Sequence, residues 1–295
     1  MAVAGAAGRA NMLPFHRIIQ TRPAVLKPKS KPQHLLPSDI IVDRSEPAIV
    51  TVMLNRPKRR NALTLAMWTE LGRIFSDLSA ESAVRAVILT GADGAFSAGA
   101  DISEFPAVRE TVEEGRVYEA ACSRCETAVA TCSKPTIAAI SGACYGGGVG
   151  LALSCDFRVA DQLAYFAIPA ARLSNVYGIV ETRALFEAVG VAAAKEVLFT
   201  GRRYGADEAY RIGIATHVAD GAALPAAIAL ANSMRKSAPL TIKGAKIVIG
   251  ALARNETELR KSTIAQVMDE AIASADYREG IAAFAAKRDP QFRGE

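Results

Sequence analysis

The sequence has no apolar run near the roughly 20 residues that a bilayer crossing needs. Every hydrophobic stretch is broken by glycine, proline or a charge, so a membrane-spanning class is excluded and the chain is read as soluble. Histidine is scarce, at three residues, and the five cysteines are odd in number and scattered through regular-looking segments. Cys122 and Cys125 form a lone C-x-x-C within VYEAACSRCETAVATC, with no second pair and no histidine at ligand spacing. That excludes a zinc-type site and leaves unbridged thiols in a reducing compartment. Acidic residues are missing from residues 1–38, where Arg9, Arg17, Arg22, Lys27, Lys29 and Lys31 contribute +6 to a net charge of +5. The rest of the chain therefore sums to −1, and it carries no basic stripe of the kind that binds nucleic acid.

What is present is a 295-residue chain of 51% apolar composition, enough for one large core. Residues 1–38 hold five prolines and no periodicity, which predicts a mobile basic extension. A transit peptide would have the same character, so the expected location is cytoplasmic, or an organelle matrix if residues 1–38 are such a signal. From Asp39 the pattern is regular: a strand over 48–57, a helix capped by Thr64, a strand over 84–92, a helix over about 109–131 and a strand in PTIAAISGAC. This alternation predicts an α/β fold with parallel crossovers. Beyond Gly178 the chain reads as mainly helical. The expected division is a core over 39–230 and a helical oligomerisation region over 231–295.

Two glycine-rich loops follow apolar strands, SAGAD at 97–101 and SGACYGGGVG at 141–150. The second opens a helix, an arrangement that turns unpaired backbone N–H groups toward a small volume and suits negative charge. The spacing G-G-G-x-G departs from the dinucleotide fingerprint G-x-G-x-x-G, which argues against a nicotinamide enzyme.

NRPKRRNAL (55–63), AFSAGADI (95–102), KPTIAAISGACYGGGVGLALSCD (134–156), AKEVLFTGRRYGADEAYRIGIATHV (194–218) and FAAKRDPQF (284–292) together resemble the crotonase (enoyl-CoA hydratase/isomerase) superfamily, in the order expected of it. The resemblance implies a spiral of ββα repeats with a C-terminal helical trimerisation region, and a homotrimer or homohexamer. It also implies a substrate carried as a thioester on coenzyme A, with no tightly bound cofactor and no metal. The backbone N–H groups of Ala100 and Gly147 would form an oxyanion hole for a thioester enolate. Coenzyme A would be met by Arg59, Ser97, Ala98, Asp101 and Ile102, and by Phe284 and Lys287 from an adjacent subunit.

The departures are specific. Hydratases of the superfamily carry two glutamates that activate and deliver water, and here those positions fall at Gly150 and Ala170. FAIPAARLSNVY resembles the methylmalonyl-CoA decarboxylase branch, in which a tyrosine stands where Tyr177 stands; a phenol can orient a leaving carboxylate without acting as a base. Glu181 is the rival, as a base for an isomerase, against a plain reading as a solvated glutamate paired with Arg172 or Arg183. Decarboxylase-like or isomerase-like chemistry is thus expected over hydration. The alternative is a non-catalytic acyl-CoA binding protein of the same fold.

Overall fold

The computed structural model describes Leu36 and residues 39–295; the extension read over residues 1–38 lies, Leu36 apart, outside the described residues. Nine strands occur among the described residues: β1 (Ile40–Asp43), β2 (Ile49–Leu54), β3 (Ala86–Gly91), β4 (Thr136–Ile140), β5 (Ala143–Tyr145), β6 (Phe157–Ala160), β7 (Tyr165–Ala167), β8 (Tyr204–Gly205) and β9 (His217–Val218). The longer helices of the first two-thirds are α1 (Leu65–Ala80), α3 (Val112–Ala130) and α5 (Ile179–Thr200), with short α2 (Phe105–Val108), α4 (Gly147–Leu153) and α6 (Ala206–Ile212) between them. The chain ends in α7 (Ala223–Arg235), α8 (Pro239–Ala253), α9 (Lys261–Ala273) and α10 (Ala275–Ala285).

The main sheet has the order β1-β2-β3-β4-β6-β9, parallel throughout except for the β1–β2 pair. Its central strands are apolar on both faces because both faces are covered. Val50, Val52, Leu54, Val87, Leu89, Ala138 and Ile140 belong to the core that includes α1 and α3. Ile49, Ile88, Ile137 and Val159 pack instead with Ala227 and Ala231 of α7. Residues 231–235, read with the C-terminal region, are thus the end of a helix that covers the sheet.

Local signals account for the two helices beside the site. Thr64 Oγ1 accepts from Met67 N at 3.2 Å to cap α1, whose buried Met67, Trp68, Leu71, Ile74, Phe75 and Leu78 recur at helical spacing. Thr111 and Glu114 form a reciprocal capping box that starts α3. Gly72 lets the two helices approach closely, since a Cβ there would lie 3.2 Å from Cys125 Cα.

Two readings differ from the structure. The strand expected across PTIAAISGAC is two strands in two sheets, because the chain turns at Gly142, whose φ is +54° and where any Cβ would overlap Gly94 O. VETRALFEAV and AAAKEVLF are two helical stretches, as read, that meet at the non-helical Gly190 (φ 74°) and together make up α5. The strand β1 was not read from the sequence; it is only four residues long, and three of the four are exposed.

Candidate active site

The site forms at the carboxyl ends of β3 and β4, where a parallel sheet leaves its loops free to converge. The loop after β3 is held on both sides by backbone pairing. On one side Ala98 N donates to Arg60 O, Leu63 N to Gly99 O and Asp101 N to Leu63 O, each at 2.8 Å. On the other, Ser97 N donates to Ala143 O and Tyr145 N to Ser97 O, both at 2.9 Å, so the loop runs beside β5. Asn61, fully buried at φ 55°, ties the far end: its Nδ2 donates to Ala92 O (2.9 Å) and Ala95 O (2.6 Å), and its Oδ1 accepts from Arg56 N (2.9 Å).

This pairing uses the neighbours of Ala100 and Gly147 but neither of those two N–H groups, which donate no hydrogen bond among the described residues. Gly147 is the first residue of α4, a position whose N–H has no partner within the helix. The two lie close together. A Cβ at Gly147 would lie 3.9 Å from Ala100 N, and a Cβ at Gly99 would lie 3.0 Å from Gly147 N and 2.5 Å from Tyr145 O. Gly99, at φ +83°, is therefore required both by its backbone angle and by the closeness of the loops. Two fixed donors this close together, without protein partners, can hold an oxygen that gains negative charge.

The other sequence-assigned residues divide by surroundings. Ser97 is buried, its Oγ donating to Asn61 O (2.8 Å) and accepting from Gly99 N (3.1 Å), so its side chain braces the loop. Asp101 is also buried, paired with Arg56 Nη1 at 3.0 Å and accepting from Ser103 N and Oγ. Burial pushes its carboxyl up, but the Ser103 and Arg56 hydrogen bonds outweigh this and hold it below the usual range. Arg59 and Ile102 are exposed, and Ala98 is half-buried. Phe284 is 88% exposed on α10 and Lys287 lies just beyond that helix, with α9 as neighbour.

Tyr177 is half-buried just before α5, and its hydroxyl would be 3.3 Å from a Cβ on Gly146, one residue from the Gly147 donor. Burial, then the carboxyls of Glu126, Glu119 and Glu181, push its pKa far above the usual phenol value. Glu181 is not a solvated surface glutamate. It is 6% exposed, its Oε1 accepts from Ser123 Oγ of α3 at 3.1 Å, and its Oε2 has no partner among the described residues. Arg172 turns instead toward Thr200 O.

One residue of this neighbourhood escaped the sequence reading. Glu126 of α3 is 1% exposed, and neither carboxyl oxygen has a hydrogen-bond partner among the described residues. It lies against Gly150, where a Cβ would overlap Oε1 and stand 3.3 Å from Cδ. Burial, reinforced by Glu181 and Glu119, pushes its carboxyl well above the ordinary range. The signal was present as a glutamate on the apolar face of α3, among the buried Tyr118, Cys122, Cys125 and Val129. Ala170 is also buried, in a short 3-10 turn, and offers no titratable group.

This α/β chain, with its mainly parallel sheet, has the fold of the crotonase class. The Enoyl-CoA hydratase/isomerase family model matches residues 44–295, and the chain belongs to that family of acyl-CoA enzymes. It is 38% identical over 248 residues to a putative enoyl-CoA hydratase of Thermus thermophilus, covering 83% of this chain and 97% of that one. It is 34% identical over 257 residues to the human enoyl-CoA hydratase domain-containing protein 2, mitochondrial, covering 84% and 86%. A crystal structure of an enoyl-CoA hydratase/carnithine racemase from Magnetospirillum magneticum superposes with a TM-score of 0.81 at 37% identity, covering 87% of this chain and 96% of that one.

Proposed function

We propose that this protein binds an acyl-CoA thioester, holds the thioester oxygen between the N–H groups of Ala100 and Gly147, and stabilises the enolate formed there. The observation that carries this reading is the pair of unpartnered donors held by two zipped loops. Gly150 and Ala170 supply no carboxyl for activating water, which favours enolate chemistry over hydration. Loss of CO2 from a 2-carboxyacyl thioester, the decarboxylase-like course, needs no base. Tyr177, kept protonated beside Gly146, is suited to donating a hydrogen bond to the departing carboxylate. Isomerisation of a 3-enoyl thioester, with Glu181 as base, is the second course, favoured by the unpartnered Oε2 of that buried residue.

Coenzyme A is proposed to pass Arg59, Ala98 and Ile102, with Ser97 and Asp101 shaping the loop. Phe284 and Lys287 would come from a neighbouring copy in a trimer or hexamer built on residues 231–295. Exposed Leu252, Met268, Ile272, Ile281 and Phe284 on α8 to α10 support that assembly. The mitochondrial designation of the human relative supports reading residues 1–38 as a transit peptide, with a cytoplasmic protein as the alternative. The test is a mass-spectrometric product screen with crotonyl-, 3-enoyl-, malonyl-, methylmalonyl- and ethylmalonyl-CoA. Conversion of a malonyl-type thioester is expected. Rapid hydration of crotonyl-CoA would overturn the reading, and binding without conversion of any thioester would favour a non-catalytic acyl-CoA binder.

A further inference from the structure

We propose that Glu126 of α3 is the proton donor of the acyl site, a carboxyl supplied from a neighbouring helix into the volume that a side chain at position 150 would otherwise fill. The inference rests on the enolate reading above and adds to it the group that ends the reaction.

Three observations converge on Glu126. The first is position: Oε1 would overlap a Cβ on residue 150, so the absence of a side chain at Gly150 and the presence of this carboxyl are one arrangement. The second is its lack of partners. The chain buries two other glutamates nearby, and each has one oxygen engaged: Glu104 Oε1 accepts from Leu65 N at the start of α1, and Glu181 Oε1 accepts from Ser123 Oγ. Glu126 alone of the three has both oxygens unpartnered, a state in which burial favours the neutral acid over the carboxylate. The third is neighbourhood. The Tyr177 hydroxyl would lie 3.3 Å from a Cβ on Gly146 and Glu126 Oε1 would overlap one on Gly150, so the phenol and the carboxyl stand against the same short stretch, residues 146–150; of the charged groups that raise the pKa of Tyr177, Glu126 has the largest effect.

The step balances without an outside reagent. The bond between the α-carbon and the carboxylate of a 2-carboxyacyl thioester breaks and CO2 leaves. The electron pair passes into the thioester, placing the charge on the oxygen between Ala100 and Gly147. As the carbonyl re-forms, the α-carbon takes the proton of the Glu126 carboxyl and a C–H bond is made, leaving Glu126 as a carboxylate. The solvent then returns one H+ to the carboxylate, the single proton that the decarboxylation consumes. Glu126 also lines a cleft of about 440 Å3 bordered by Arg158, Arg183 and Arg254, a route for that return.

The test compares the wild type with Glu126→Gln on methylmalonyl- and ethylmalonyl-CoA in D2O, reading CO2 release and the stereochemistry of deuterium at the product α-carbon. The wild type is expected to place deuterium on one face. Glu126→Gln should turn over about 10²-fold more slowly, the usual worth of a positioned acid, and place deuterium on both faces as solvent protonates the enolate. Glutamine keeps the shape, so its thermal midpoint should be no lower than the wild type's. A Glu126→Ala/Gly150→Glu double variant, which moves the carboxyl to the other side of the same volume, should turn over at least tenfold faster than Glu126→Ala. Wild-type rate and one-faced deuteration in Glu126→Gln would overturn the assignment and leave the enolate reading intact. A wild type that converts no malonyl-type thioester would overturn that reading, and the assignment with it.

Discussion

Replacing Gly99 by alanine tests whether the loop contact sets the donor geometry. The new Cβ would lie 2.5 Å from Tyr145 O and 3.0 Å from Gly147 N, so one loop must retreat by about 0.5–1 Å to reach ordinary contact. A donor displaced by about 1 Å from a developing oxyanion loses about 10²-fold in rate, or about 2.7 kcal/mol of transition-state stabilisation. Stability falls as well, by about 1 kcal/mol for a non-glycine residue at φ +83° and about 1–3 kcal/mol for the overlap. At about 2–4 °C per kcal/mol, the thermal midpoint should drop by about 4–16 °C. Gly94→Ala is the control. Its φ is +71° but a Cβ there meets nothing within 4 Å, so it carries the backbone strain without the collision. Steady-state turnover on whichever thioester the wild type converts, together with thermal melts, separates the two. If Gly99→Ala turns over within threefold of Gly94→Ala, the approach of the loops does not position the donors and the reasoning fails.

Tyr177→Phe should lower kcat on a malonyl-type thioester by about 10- to 10³-fold, the loss of one hydrogen bond in a dry site, while Glu181→Gln does less; the reverse order on a 3-enoyl thioester would identify an isomerase. Asn61→Ala removes three hydrogen bonds from a buried αL position and should destabilise by about 2–4 kcal/mol in urea melts; an unchanged midpoint would mean the loop is held without it. Because burial keeps Glu126 protonated when folded while the unfolded chain releases that proton near ordinary carboxylate pH, its contribution to stability falls as pH rises above that range toward its own raised value. The thermal advantage of Glu126→Gln should therefore grow from pH 5 to pH 8; a constant difference would show that the arginines lining the cleft hold Glu126 ionised against Glu119, Cys122, Cys125, Tyr177 and Glu181. Deleting residues 276–295 removes the tail whose Arg293 and Gly294 N–H groups donate to the Asp276 carboxylate, and should lower oligomer assembly and coenzyme A affinity together, as read by sedimentation and calorimetry.

Much of this protein could be read along the chain because the signals are local. The Thr64 cap and the 3.6-residue apolar stripe of α1, the unbroken apolar runs of β3 and β4, and the two glycine loops each depend on residues a few positions apart. Those same loops carried the family resemblance and, through it, the donors Ala100 and Gly147. What depends on distant parts of the chain had to wait for the fold. The break of PTIAAISGAC into two sheets follows from Gly142 passing Gly94, nearly 50 positions earlier. The partner of Glu181 is Ser123, 58 residues away, which turned an apparently solvated glutamate into a buried one. Glu126 was legible only as an acid on the apolar face of a helix, a pattern that fits a helix end, an interface or an error of register equally well. That its carboxyl fills the space left by Gly150 was decided by the packing of α3 against α4, since burial and proton affinity depend on what surrounds a group in space, and sequence spacing does not record that.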